Sequence, residues 1–188
     1  MPVNWKRITL ALLAVGLISG GYYWWQNASP YDRVARRDVA SEVFGSQKEF
    51  DAFLSATNAT VQRVHYRGKT NGNAGVLIEF GYEHDAPFPI ATAQCEEMKR
   101  LLQKKSSYVW DSVKGCIPMF GMVAHFHSTN GTISVAFCFD CEVLLVFNSA
   151  VIPSKPLNGE GDFDPINKQL VAIAKAIFPN DPEIQKIK

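Results

Sequence analysis

The sequence predicts an α+β fold: a small, mostly antiparallel sheet with helices packed on one face, preceded by an N-terminal transmembrane helix. Three observations predict it. A long uncharged run opens the chain, apolar residues at helical spacing alternate with strand-like runs further on, and Gly- and Asn-rich turns join those strands in pairs. No strand-helix-strand unit has the reach and the apolar strands that a parallel sheet needs.

The opening run, Ile8 to Trp25, holds 18 uncharged residues behind Lys6 and Arg7. At about 1.5 Å per residue it spans roughly 27 Å, enough for a bilayer core. Tyr22, Tyr23, Trp24 and Trp25 close it with rings that favour the headgroup level. A cleaved signal peptide is the competing reading, because Ser19 and Gly21 follow the apolar stretch with a small-x-small pattern. Cleavage would leave the aromatic cluster as the exposed start of the mature chain, which favours an uncleaved single-pass anchor.

The expected organisation is therefore a membrane anchor over residues 1–26, a juxtamembrane stalk over 27–45 and a globular domain over 46–188. Short leading tails rarely cross a membrane, and the cysteines suit an oxidising compartment, so the domain is placed on the extracytoplasmic side. Arg33, Arg36 and Arg37 lie in the stalk and read first as solvated juxtamembrane charges, with contact to lipid headgroups as the second reading.

Composition sets further bounds. With 47% hydrophobic and 20% charged residues, 188 residues suit one folded core and an appendage. The 19 Lys plus Arg against 18 Asp plus Glu give no field that would draw a polyanion, so no nucleic acid is expected as partner.

Within the stalk, Asp38 to Phe44 can hold one helical stretch. The domain opens at Ser46, which with Glu49 has the spacing of a capping box, and Phe50, Phe53 and Leu54 share a face of the helix that follows. Val61 to Arg67 and Val76 to Tyr82 read as a hairpin around Gly68, Asn71, Gly72, Asn73 and Gly75. Thr92 can cap a helix to about Lys105 with Cys95, Met98 and Leu102 on its apolar stripe; Glu96 and Glu97 near its start and Lys104 and Lys105 at its end suit the dipole.

Met119 to Phe147 carries the strongest β pattern. Asn130-Gly131 predicts a type I′ turn, which sets His127 opposite Ser134, His125 opposite Ala136 and Val123 opposite Cys138. The run after it is too long for one strand, so a second turn near Asp140 and Cys141 makes a three-stranded meander. Asp164-Pro165 then starts a terminal helix with Ile166, Leu170, Ile173 and Ile177 on one face.

The four cysteines bear most of the chemical interest. Cys95 falls on a helical apolar stripe and reads as a small buried hydrophobe. Cys116, Cys138 and Cys141 come close in the meander, and a bond from Cys116 to Cys138 or Cys141 would close a loop worth on the order of 3 kcal/mol. Cys138-Phe139-Asp140-Cys141 also has the spacing of a redox dithiol, although Asp140 and Glu142 beside it would raise a thiol pKa. His125 and His127 share a face with Cys138, and two His with Cys138 and Cys141 have the ligand types of a tetrahedral zinc set.

Other patterns point away from chemistry. Asn158, Glu160, Asp162 and Asp164 alternate as in a calcium loop, but Phe163 and Gln169 stand where Gly and an acidic ligand belong. His65, His84 and Asp85 read as ordinary hairpin and surface residues. No phosphate loop, dinucleotide glycine pattern or nucleophile elbow occurs, and no cofactor is expected.

Cys116-Ile117-Pro118-Met119-Phe120-Gly121, then Cys138-Phe139-Asp140-Cys141, then Phe163 and a terminal helix ending in Phe178-Pro179, resemble a loosely defined family of bacterial exported proteins without assigned activity. The resemblance covers roughly the last 90 residues. It implies a bacterial envelope setting and treats Cys116, Cys138 and Cys141 as one unit, with Cys95 outside it. The expectation is a non-enzymatic, membrane-anchored module that holds a protein partner in the cell envelope. The alternative is an envelope thiol-redox or zinc-binding protein acting through Cys138 and Cys141.

Overall fold

The computed structural model describes residues 37–70, 77–112, 114–148 and 159–188. The anchor, most of the stalk and the Asn71–Gly75 turn lie outside the described residues. Among those described, no helix is long and apolar enough to cross a membrane.

Local signals start the chain much as its side chains dictate. Asp38 caps α1 (Val39–Glu42), its carboxylate accepting the N–H of Ala40 at 2.8 Å, and Ser46 caps α2 (Gln47–Leu54) by accepting that of Glu49 at 3.3 Å. Val39, Val43 and Phe44 are buried in the core, so the compact unit begins at Asp38 rather than at the expected Ser46. The reason is packing: the Phe44 ring sits 4.6 Å from that of Phe53, and a stalk would have left it in water.

The strands are β1 (Asn58–Thr70), β2 (Leu77–His84), β3 (Phe88–Pro89), β4 (Met122–Ser128), β5 (Gly131–Cys138), β6 (Val143–Phe147) and β7 (Gly159–Asp162). They form one antiparallel sheet in the order β2-β1-β4-β5-β6-β7, with the two residues of β3 also paired to β1. The predicted hairpin and meander are both present, while β3 and β7 are additional. Helix α3 (Thr92–Leu102) stops short of Lys105, and its cap position is Ala91 rather than Thr92. Asp164-Pro165 opens a short 3₁₀ turn (Asp164–Ile166) that leads into α4 (Asn167–Ile177), and α5 (Pro182–Lys186) follows Phe178-Pro179.

The β4-β5 register departs from the one the Asn130-Gly131 turn implies. His127 pairs with Thr132, His125 with Ser134 and Val123 with Ala136. Ser128 is the cause: its hydroxyl accepts the N–H of Asn130 and donates to the carbonyl of Gly131, which closes the turn on Thr129 and Asn130. Positive φ falls on Gly131, at 126°, and not on Asn130, so the turn is not type I′. Moving the turn by one position shifts the pairing by two, and the side chains keep their faces.

Alternation along β4, β5 and β6 makes two apolar faces. Met122, Ala124, Phe126, Val135, Phe137, Leu144 and Val146 meet Phe53 of α2, Met98 and Leu102 of α3 and Leu170 of α4. Val123, Ala136, Cys138, Val143, Leu145 and Phe147 face the other way, with Val64 and Phe120. All the helical residues in the two clusters belong to the first, which places the described helices on one face. Each fully buried Phe or Leu there contributes about 1.5–3 kcal/mol of transfer free energy.

Candidate functional site

The corner where β5 turns into β6 gathers the chemistry-bearing side chains. Cys138 ends β5, and Phe139 to Glu142 form the turn, whose last residue sits at φ 57°. Phe139 anchors the turn by stacking on Phe137 with centroids 6.0 Å apart and meeting Phe163 edge-on. This holds the backbone still while Cys138 and Cys141 point into the second apolar cluster.

Cys141 is bonded to Cys116, with Cα atoms 6.2 Å apart across a sequence separation of 25. Of the two pairings left open by the sequence, the structure has this one. Cys138 and Cys95 are free and buried. The sulfur of Cys138 accepts the N–H of Met119 at 3.3 Å. Burial pushes the Cys138 thiol pKa up, and the Asp140 carboxylate adds to this. The N–H groups of Cys141, Met119 and Asp140 that point at the sulfur pull the other way without cancelling the rise.

Lys114 ties the same corner from the solvent side. Its ammonium donates to the carbonyl of Cys141 at 2.8 Å and pairs with Asp162 at 3.1 Å, with Glu142 at 3.4 Å and with Asp164. Burial lowers its pKa, but the carboxylates of Asp164 and Asp162 outweigh this and hold it above the ordinary lysine value. Asp162 and Asp164 thus serve a lysine, in a strand and the 3₁₀ turn after it, rather than a calcium loop.

The disulfide tethers the start of the strip from Cys116 to Gly121, whose last three residues, Met119, Phe120 and Gly121, line a cleft of about 450 Å³. Phe120 turns inward and Tyr82 donates its hydroxyl to the carbonyl of Pro118 at 3.1 Å, whereas Met119 is 47% and Ile117 69% exposed. The cleft's apolar lining includes Phe139, Ile184 and Ile187, and its charged lining Arg63, Asp140 and Glu183.

Arg63, a residue the sequence reading passed over, is 6% exposed and organises the opposite wall. Its guanidinium donates to Asp181 and to the carbonyls of Val64 and Gly121, each at 2.6 Å, and to Glu183 at 2.5 Å. The one signal was Arg63 within a β-rich run, where a buried position demands several acceptors. His65 stands 3.6 Å from Asp85 and 3.9 Å from Glu183 at the edge of this group.

The predicted zinc residues do not gather. His125 Nδ1 lies 2.8 Å from the Ser134 hydroxyl, and His127 lies 3.0 Å from that of Thr60 and 3.1 Å from that of Thr132. Cys138 shares their face but stands four residues beyond Ser134 on β5, about 13 Å at strand rise. Among the described residues no group of three or more His, Cys, Asp or Glu side chains is placed to hold a metal ion. His84 and His125 are both held below the ordinary histidine pKa by burial, and His125 further by its histidine neighbours.

Compared with known proteins, the chain matches no family model, no curated sequence and no solved structure.

Proposed function

We propose that this chain is a single-pass, membrane-anchored domain of the bacterial cell envelope that holds a protein partner, with its disulfide acting as a structural staple. The observation that carries this reading is where the staple sits. It pins a strip whose exposed apolar side chains, Ile117 and Met119, are two of the four large ones left exposed among the described residues. Beside them is a cleft with an apolar floor and with Asp140 and Glu183 in its lining. Such a rim suits an extended partner segment that inserts an apolar side chain and presents a basic one. The anchor rests on the uncharged run from Ile8 to Trp25 and the aromatic residues at its end.

The test is site-specific photo-crosslinking in the native membrane with the full chain. A crosslinker at Ile117 or Met119 is expected to give one discrete protein adduct, and a crosslinker at the exposed Lys168 of α4 none. The adduct is expected to weaken when Cys116 and Cys141 are both replaced by Ser. Equal labelling from all three sites would sink the partner reading. Protection of the domain from protease added to spheroplasts, whose cytoplasmic membrane is intact and outer layers are opened, would sink the placement.

A further inference from the structure

A staple needs two sulfurs, yet three of the four meet at this corner, and they differ in access. Cys116 is exposed, Cys141 is 8% exposed and Cys138 is fully buried. The Cys138 sulfur takes the N–H of Met119 at 3.3 Å, and both cysteines of the turn belong to one apolar cluster. Cys138 ends β5 and pairs with Val143 across the turn that carries Cys141, so the free cysteine and the bonded one belong to a single tight turn.

We infer that Cys138, Cys141 and Cys116 form a thiol–disulfide exchange site, in which the bond migrates to Cys138–Cys141 and frees Cys116 as an exposed thiol for a partner protein's disulfide. In the first step the Cys138 thiolate attacks the Cys141 sulfur. One S–S bond forms, the Cys116–Cys141 bond breaks, and Cys116 leaves with the electron pair as a thiolate that takes up the proton Cys138 gave to water. The step is an isomerisation, needing neither oxidant nor reductant. In the second, the Cys116 thiolate attacks a disulfide of the partner, forms a mixed disulfide and releases one partner thiolate.

Two features set the balance and the specificity. The structure holds the Cys116–Cys141 bond, which is therefore the resting form, and the isomer closes a span of three residues instead of 25. Ile117 and Met119 border Cys116 with exposed apolar surface, which suits a disulfide carried in an extended, apolar segment. Because burial raises the Cys138 pKa, its thiolate is scarce at neutral pH and its fraction grows about tenfold per pH unit.

The exchange rests on the disulfide pairing and not on the partner reading, and its first step is tested without any partner. The full chain, purified with its disulfide intact, is incubated with iodoacetamide at pH 8 without reductant and mapped by mass spectrometry. Carbamidomethyl-Cys116 and a Cys138–Cys141 disulfide peptide are expected to accumulate together, about tenfold more slowly at pH 7. The Cys138→Ala variant, which keeps a small apolar side chain in the cluster, is expected to retain the Cys116–Cys141 bond and leave Cys116 unlabelled. A wild-type chain whose Cys116–Cys141 bond stays intact throughout overturns the inference without recourse to any variant. So does Cys116 labelling at the wild-type rate in Cys138→Ala.

Discussion

Lys114 donates its ammonium to the carbonyl oxygen of Cys141 at 2.8 Å, two residues before Cys116 makes its bond to the same residue's sulfur. The strip is thereby fastened twice to one turn, covalently through a side chain and electrostatically through the main chain. The two ties differ in strength. The lysine is partly solvated, so its ion pairs are each worth about 1 kcal/mol or less, whereas the disulfide also limits the unfolded chain.

That difference predicts the cost of the staple. Replacing Cys116 and Cys141 by Ser is expected to lower stability by on the order of 3 kcal/mol in the loop-entropy model, which is roughly 6–12 °C in Tm for a domain of this size. Thermal melts with and without reductant check it, and the reduced wild type should approach the double variant. A change under about 2 °C would mean that Lys114 and the Phe139 packing already hold the strip, and the staple would then have no structural task.

Arg63 predicts a larger loss. Arg63→Met removes the donor from Asp181, which is 17% exposed at its side chain, and leaves two carbonyls without their guanidinium. A cost of about 3 kcal/mol or more is expected. Arg63→Lys is expected to recover little, because one ammonium cannot reproduce the planar fork. Asp181 adds a pH signature. Burial pushes its carboxyl up, but the N–H of Ile184, the Arg63 guanidinium and the N–H of Glu183 outweigh this and hold it below 3.8. With the folded pKa depressed, the contribution is present above the unfolded value of about 3.9 and is lost as pH falls through the folded one. The gap in acid unfolding between wild type and Arg63→Met should therefore be widest above about pH 4 and narrow below it, where the loss at the two carbonyls remains.

Much of this architecture was legible in the sequence, for reasons that sort by range. Caps and apolar stripes are local, and Ser46, Phe53, Cys95, Met98, Leu102 and Leu170 all sit where their spacing put them. The meander was legible because both its turns carry their own chemistry. What escaped depended on distant partners. Strand β7 reads as a polar loop, Gly159-Glu160-Gly161-Asp162, and becomes a strand only by pairing with β6. Arg63 and Lys114 carry no local signal, because acceptors that hold them lie 118 and 27 residues further along the chain. The face shared by His125 and Cys138 was correct, but parity along a strand fixes a side and not a separation, so the zinc set failed on distance.

The glycines of β7 supply a sharper steric prediction. A Cβ on Gly159 would stand 2.0 Å from the carbonyl oxygen of Val43, and one on Gly161 2.8 Å from the Tyr108 ring. The first obstacle is backbone and cannot rotate away. Gly159→Ala is expected to push α1 off the strand and cost about 1–3 kcal/mol, with Gly161→Ala at or below that range. Hydrogen exchange at Val43 and Phe44 is the direct reading. Unchanged protection there in Gly159→Ala would show that β7, rather than α1, gives way.

Histidine burial predicts how stability responds to mild acid. His125 is held neutral chiefly by burial and further by the nearby His127 and His84, while its neighbours across the strands, Ser134 and Thr60, carry no charge. Its folded pKa is therefore below 6.5, and the unfolded chain takes up the proton first. Above about pH 6.5 both states are neutral and His125 gives no slope; as pH falls towards its folded value, stability is lost. One such group can contribute at most about 1.4 kcal/mol per pH unit, and partial solvation reduces this. Urea unfolding at pH 7.5 and 5.5 is expected to show wild type losing stability at the lower pH. His125→Gln, which retains a polar partner for Ser134, should lose less. A remaining slope is expected from His84, which burial also lowers. Carboxylates contribute little in this window, because unfolded Asp and Glu titrate near pH 4. If wild type and His125→Gln lose the same stability between the two pH values, the imidazole is solvated well enough to titrate normally, and the sheet face around Ser134 is open to water.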